Sequence, residues 1–375
     1  MTIPHSSIKS TTLNTVCLVL CVLTFATFAN ASSIATFNAP GAGTGAGQGT
    51  VPLAINSSGV VAGYLIDSNG AFHAFLRESS GSIVTGNAPG AGTSSGQGTL
   101  AYGINTTGAI TGYYLDSNNV LHGFVRTSSG TLSEFEAPGS GTTSGTGTLS
   151  ANINDSGEVA GYYIDANGVY HGFVNVNGTI TSFDVTGAGT GAGQGTVTGG
   201  VDCLNTSGML AGDYIDSNGV NHGYIRASNG TVTTFDVSGA GTGSGQGTEV
   251  SGINDSGTVI GIWIDSNGAD HGYVRSSSGT ITKFDAPGAG TGAAQGTEPE
   301  NINASGVAVG QYIDSNGVNH GFERSASGTI TTGNVPGAGT GGGQGTVPSS
   351  NDAGGQIDGD YIDSNGVLHG FLFTP

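Results

Sequence analysis

Residues 250–285 read VSGINDSGTVIGIWIDSNGADHGYVRSSSGTITKFD, four short β-rich runs broken by turn residues. The runs are Val250 to Asn254, Thr258 to Asp265, Asp270 to Arg275 and Thr280 to Asp285. Between them stand Asp255-Ser256-Gly257, Asn267-Gly268 and Ser278-Gly279. Asn-Gly between β-rich runs is a strong hairpin signal, because both residues tolerate positive φ. Read as a two-residue loop, the matching Asn69-Gly70 would pair Ile66 with His73 and Tyr64 with Phe75. No run carries a 3.6-residue apolar period, so no helix is expected after the first 31 residues.

Outward from this stretch the same unit recurs. Seven histidines, His73, His122, His171, His222, His271, His320 and His369, are spaced 49, 49, 51, 49, 49 and 49 residues apart. They share one frame, most fully kept in the middle units: an Ile-Asn turn, a Gly-Tyr-Tyr-Ile-Asp-like run, Ser-Asn-Gly, His-Gly-Phe and a Thr-Ile-Thr-x-Phe-Asp-like run. Four strands in about 49 residues is the size of one propeller blade. The ends of the repeat array support a ring. Ile34 to Pro40 matches the fourth run of a unit, whereas the last unit stops at its third run, His369 to Phe373. Added to the last unit, the N-terminal strand completes it and removes an open sheet edge. The expected fold is an all-β seven-bladed propeller of four-stranded blades spanning residues 32–375.

The first 31 residues read as an export signal. Lys9 is the positive n-region, Val16 to Phe25 a short apolar core, and Ala29-Asn30-Ala31 a cleavage site. The apolar run is shorter than the roughly 20 residues a membrane span needs, so retention as an anchor is the weaker alternative. Lipidation at Cys21 is disfavoured by Leu18-Val19-Leu20 before it. Cleavage removes Cys17 and Cys21 and leaves Cys203, which sits in an apolar context and reads as a small buried residue without a disulfide partner. The remaining chain has 26 acidic against six basic side chains, a net charge of −20. That sign argues against nucleic-acid and anionic-lipid partners. The expectation is a secreted, monomeric protein with no membrane span in its mature form and an extracellular partner, carbohydrate or protein.

Several motifs invite chemistry. The connector Gly41 to Thr50, GAGTGAGQGT, resembles a phosphate cradle only in its glycines, for it lacks both the Lys and the following helix. It reads as the crossover between units. The histidines lie on third strands, about 9.5 Å outside the innermost ones, too far apart in a ring to share one metal ion. They read as members of local hydrogen-bond arrangements, and no metal or cofactor is expected. The Asp-Ser-Asn-Gly turns at Asp67, Asp165 (with Ala166), Asp216, Asp265, Asp314 and Asp363 have too few oxygens for calcium and read as Asx turns. The row Tyr114, Tyr163, Tyr214, Trp263, Tyr312 and Tyr361 reads as packing between units.

The units disagree most on the presumed innermost strand, where the ring places the fewest demands. Tyr102, Asn152, Asp202, Glu249, Glu298, Glu300 and Ser350 stand there, and the one two-residue insertion falls near Gly200 to Asp202. A channel mouth lined by Tyr102, Asp202, Glu249, Glu298 and Glu300 is the candidate ligand site. Its acidity suits cationic or hydroxyl-rich ligands. Glu298 and Glu300 also admit a hydrolytic or lyase reading on polysaccharide, and a purely structural envelope role is the third option. No catalytic residue is assigned.

The His-Ala-Phe at residues 73–75, with His-Gly-Phe or His-Gly-Tyr in its place elsewhere, resembles the bacterial extracellular HAF-repeat proteins. Their units likewise join an Ile-Asn-x-x-Gly turn, a Val-x-Gly strand and a His-Ala-Phe strand. The resemblance spans residues 32–375 and implies export and a propeller-like array, without an established activity. The connector is more glycine-rich than that family's.

Overall fold

The computed structural model describes residues 32–375, so the expected signal segment lies outside the described residues. Among them there are 28 strands, β1 to β28 in chain order, and no helix. The first are β1 (Ser33–Phe37), β2 (Gly49–Ile55), β3 (Val61–Ile66), β4 (Phe72–Arg77) and β5 (Ile83–Gly86). β2 to β5 pair antiparallel in sequence order, and five further groups of four repeat the pattern. The last group, β26 (Gly345–Asn351), β27 (Ile357–Ile362) and β28 (Leu368–Thr374), has three strands of its own. Its fourth is β1, which pairs with β28 from Ser33↔Thr374 to Phe37↔Gly370. The second strand of each group lies beside the first strand of the next, and β27 lies beside β2. The result is a closed all-β array of repeated strands.

The turns explain the period. Asp67 N donates to Ala71 O (3.0 Å) and Gly70 N to Asp67 O (3.0 Å), while the Asp67 carboxylate accepts Asn69 N (2.8 Å) and Ala71 N (2.9 Å). This is a three-residue loop closed by one left-handed residue. Gly70 has φ +82°, and Asn119 stands at the same place in the next group with φ +61°. The two-residue loop expected from Asn-Gly is therefore corrected. Ile66 pairs with Phe72, Leu65 with His73, Tyr64 with Ala74 and Gly63 with Phe75. The Asp side chain satisfies two amides that a tighter loop would leave unpaired, and it moves the register by one residue.

Each connector delivers the chain into the next first strand beside the preceding group's third strand. At Gly98, φ +124°, a Cβ would lie 2.0 Å from the Phe72 carbonyl oxygen. Only glycine permits that approach.

A second set of bonds ties neighbouring groups together. Asn56 Nδ2 donates to Asn105 O (3.0 Å), Asn105 to Asn154 (3.1 Å), and Asn154 to Asn205 (3.1 Å). Asn205 continues to Asn254 (3.2 Å), Asn254 to Asn303 (3.1 Å), and Asn303 to Asp352 (2.8 Å). All seven residues are buried.

Candidate functional site

The first strands begin Gly-Thr and, in six groups, carry a β-bulge at the fifth residue. A bulge re-aims the side chain it leaves unpaired. Tyr102 and Glu300 occupy that place in their groups. In the fourth group the insertion replaces the bulge. The strand ends at Thr198, and Gly199 to Asp202 leave the ladder before Leu204 bridges Leu210. Asp202 takes a left-handed φ of +59°, and its carbonyl accepts Ile253 N (3.1 Å).

The third residue of the first strand is buried in the first two groups, Val51 and Leu100, and half-exposed on the inner wall in the other five. Glu249 and Glu298 hold this position in consecutive groups, and Leu149 and Val197 hold it in the two groups before them. On the second strand its partners are Tyr64, Tyr113 and Tyr162 in the first three groups. In the last four they are Asp213, Ile262, Gln311 and Asp360. The wall is thus divided into a tyrosine arc and an arc with most of the carboxyls.

Tyr102 stacks on Tyr113 with ring centroids 5.3 Å apart, and their hydroxyls lie 3.4 Å apart. Tyr162 meets Tyr170 edge-on at 5.6 Å. Burial raises the Tyr113 and Tyr162 hydroxyls well above the usual phenol range, so both remain donors at neutral pH. Facing them, Glu249 Oε1 accepts Asn221 Nδ2 (2.6 Å), and Glu298 Oε2 accepts Gln311 Nε2 (2.6 Å). Burial, then the Glu298 charge, pushes Glu249 up. The same two causes raise Glu300 to about 7. Burial, then Glu298 by charge and hydrogen bond, raises Asp270. Asp213 is raised by burial, then by Glu249.

A cavity of about 670 Å³ lies where the arcs meet, with Tyr102, Tyr113, Tyr162, Tyr170, Asp213 and Glu249 in its lining. Of the expected residues, Tyr102 and Glu249 share this cavity, while Glu298 and Glu300 continue the carboxyl arc beyond its walls. Asp202 lies elsewhere. Its carboxylate accepts Asn301 Nδ2 (2.7 Å), and burial raises its pKa. Asn152 and Ser350 are buried bonding residues too. Asn152 Oδ1 accepts Cys203 N (2.6 Å), and Ser350 Oγ accepts Ile55 N (2.9 Å) while donating to Asp358 Oδ1 (2.7 Å). Joining the groups therefore places firm demands on these three positions. The sequence reading missed Tyr113, Tyr162, Tyr170 and Asp213. The first two belong to Tyr-Tyr pairs whose second member, Tyr114 or Tyr163, stacks on a histidine instead. Asp213 was legible as the one acid among those second-strand tyrosines in the first four groups.

The histidines are held locally. His271 Nδ1 bonds Asp285 (2.9 Å), its Nε2 lies 3.9 Å from Asp265, and its ring stacks on Trp263 at 4.1 Å. The same stack recurs on five tyrosines of the expected aromatic row at 4.8–4.9 Å. Among the described residues no group of three or more His, Cys, Asp or Glu is placed to hold a metal ion. Cys203 is fully buried.

No protein-family model matches this chain, and no curated protein matches it. Among solved structures it is similar to the BP39L lectin from Burkholderia pseudomallei, with 12% identity and a TM-score of 0.58, over 86% of this chain and 97% of that one. It is also similar to puromycin hydrolase, with 11% identity and a TM-score of 0.50, over 88% of this chain. The fold is propeller-like. A prolyl endopeptidase shows 11% identity and a TM-score of 0.50 over 92% of this chain. The chain spans half the length of each of those two enzymes. Among the described residues of this propeller-like chain, no helix is long and apolar enough to cross a membrane.

Proposed function

We propose that this chain is a secreted, non-catalytic seven-bladed β-propeller of the HAF-repeat kind, whose channel binds a carbohydrate. One observation carries the ligand class. Tyrosine rings and hydroxyls occupy one side of the 670 Å³ cavity and carboxyl groups the other. Sugar rings present apolar C–H faces that pack on aromatic rings, and hydroxyls that bond to carboxyl oxygens and phenol groups. The cavity lies within the usual volume range of small-ligand sites. The seven antiparallel groups, each four-stranded, support the blade reading, as does the pairing of β1 with β28. The lectin among the structural neighbours agrees with the ligand class without establishing it.

A glycan array probed with the full chain tests this reading, with Tyr113→Ala and Glu249→Gln as channel variants. We expect binding to one glycan class, weakened about tenfold by either variant, near 1.4 kcal/mol. Glycan binding unchanged in both variants would overturn the channel site, and an array without hits would overturn the ligand class. A polysaccharide-cleaving enzyme is the second reading, favoured by Asp270, whose carboxyl is raised beside Glu298. Release of reducing or unsaturated ends from the bound glycan, lost in Asp270→Asn, would establish it.

A further inference from the structure

The last residue of each fourth strand is Phe in five groups, Phe37, Phe135, Phe183, Phe235 and Phe284, and Gly in two, Gly86 and Gly333. Each phenylalanine lies in the groove between its own group and the next. There it meets the third-strand ring of the next group edge-on, at 5.9–6.1 Å and 72–78°. In four grooves an arginine guanidinium lies 4.8–5.0 Å above the phenyl ring. The groove is therefore shaped for one aromatic ring.

Nothing in the backbone asks for glycine at the two exceptions. Neither residue has a positive φ, and a Cβ added to either would meet nothing within 4 Å. The missing ring leaves space instead. A cavity of about 430 Å³ opens at Gly333, walled by Ile34, Phe322, Pro348, Ile357, Phe371 and Phe373. One of about 230 Å³ opens at Gly86, with Phe124, Arg126 and Leu132 in its wall. The smaller one is narrowed by Ala74, which stands where the other groups have glycine and pairs with Gly86. Phe373 takes the arginine's place at Gly333, so that groove is the more apolar. Among the described residues, two of the three large apolar side chains left exposed flank these grooves, Ile34 at 42% and Val84 at 60%.

We propose that the Gly333 groove is a binding site for the phenyl-sized aromatic ring of a small molecule, separate from the channel. The ring would occupy the place that phenylalanine fills in five other grooves, edge-on to Phe371 and against Phe373. Cavities walled by aliphatic and aromatic side chains take up aromatic molecules. A 430 Å³ cavity suits a small ligand, whereas a protein partner would need roughly 800 Å² of surface. The site does not depend on the carbohydrate reading.

The test uses 4-bromobenzyl alcohol with the full chain. Saturation-transfer NMR should detect millimolar binding, and a soaked crystal should show an anomalous bromine peak in the Gly333 groove. Gly333→Phe, which supplies the ring, should abolish that peak and reduce the NMR signal at least tenfold, while Tyr113→Ala leaves both unchanged. Absence of bromine from the groove in the unaltered protein would overturn the proposal. So would a folded Gly333→Phe variant that keeps the peak. If that variant fails to fold, the peak in the unaltered protein still decides.

Discussion

The Asn303 side chain donates to the carbonyl of Asp352 at 2.8 Å, and there the inter-unit ladder ends. In six groups an Asn caps its own turn through Oδ1 and passes Nδ2 to the next unit. Asp352 caps its turn in the same way, accepting Gln356 N at 2.8 Å, but its side chain has no amide N–H to pass on. Asn56 therefore lacks the bond its six counterparts receive, at the seam that β1 closes. Asp352→Asn should complete the ladder. A buried hydrogen bond contributes about 1 kcal/mol, and the melting temperature should rise by about 1–3 °C. Asn254→Asp, which breaks the ladder elsewhere, should lower it. A fall with Asp352→Asn, measured by calorimetry at pH 7, would show that the ladder does not extend across the seam.

Deleting residues 32–40 removes β1 and uncovers one edge of β28. An unpaired strand edge templates association. The deletion should lower the melting temperature and produce oligomers in light scattering. A monomeric deletion variant with an unchanged melt would contradict closure through this strand.

Two buried carboxyls near the seam set a pH dependence. Burial, then the Asp202 charge against the opposing Ser350 bonds, raises Asp358 to about 7. Burial, then Asp358, raises Asp360 to about 8. In the unfolded chain both would titrate near the ordinary 3.9. Between those values the fold holds protons that the unfolded chain has lost, so stability falls as pH rises. Their contribution is full below about pH 4 and is lost as pH passes through 7 and 8. Asp358 Oδ1 accepts Ser350 N (3.1 Å) and Oγ (2.7 Å), while Oδ2 is buried without a partner. Asp358→Asn keeps the accepting oxygen and removes the titration. Its advantage in melting temperature over the parent should grow from pH 5 to pH 8, and an advantage that shrinks would refute the assignment.

The repeat, its strand count and the spare N-terminal strand were legible because seven copies average out the noise of any one. The inner wall was legible only in part. Whether Tyr113 or Tyr114 faces the channel depends on a one-residue register, and the turn chemistry of the Asp carboxylates sets that register. Asn152 and Ser350 vary between units as ligand residues would, yet each answers a local bonding need created by the insertion or the seam. Thr85-Gly86-Asn87 and Thr332-Gly333-Asn334 were plain departures from the repeat. They lie on outer strands, where variation reads as loose surface until the other phenylalanines are seen filling grooves.

The histidine arrangement makes a claim that one fluorophore can check. Trp263 is the single tryptophan. It lies between the His271 ring at 4.1 Å and the Lys283 ammonium, which sits 4.3 Å from its ring centre. His271 also joins the third strand of its group to the end of the fourth, through Asp285 at 2.9 Å. Removing the imidazole deletes that bond and uncovers one indole face. His271→Ala should therefore cost about 1 kcal/mol of stability and shift Trp263 emission to the red. His122→Ala, which stacks on Tyr114 in another group, should show the stability loss without the emission shift. An emission shift in both variants would mean that the damage spreads beyond one unit. Unchanged stability in both would mean that the hydrogen bonds and ring stacks do not hold the strands together.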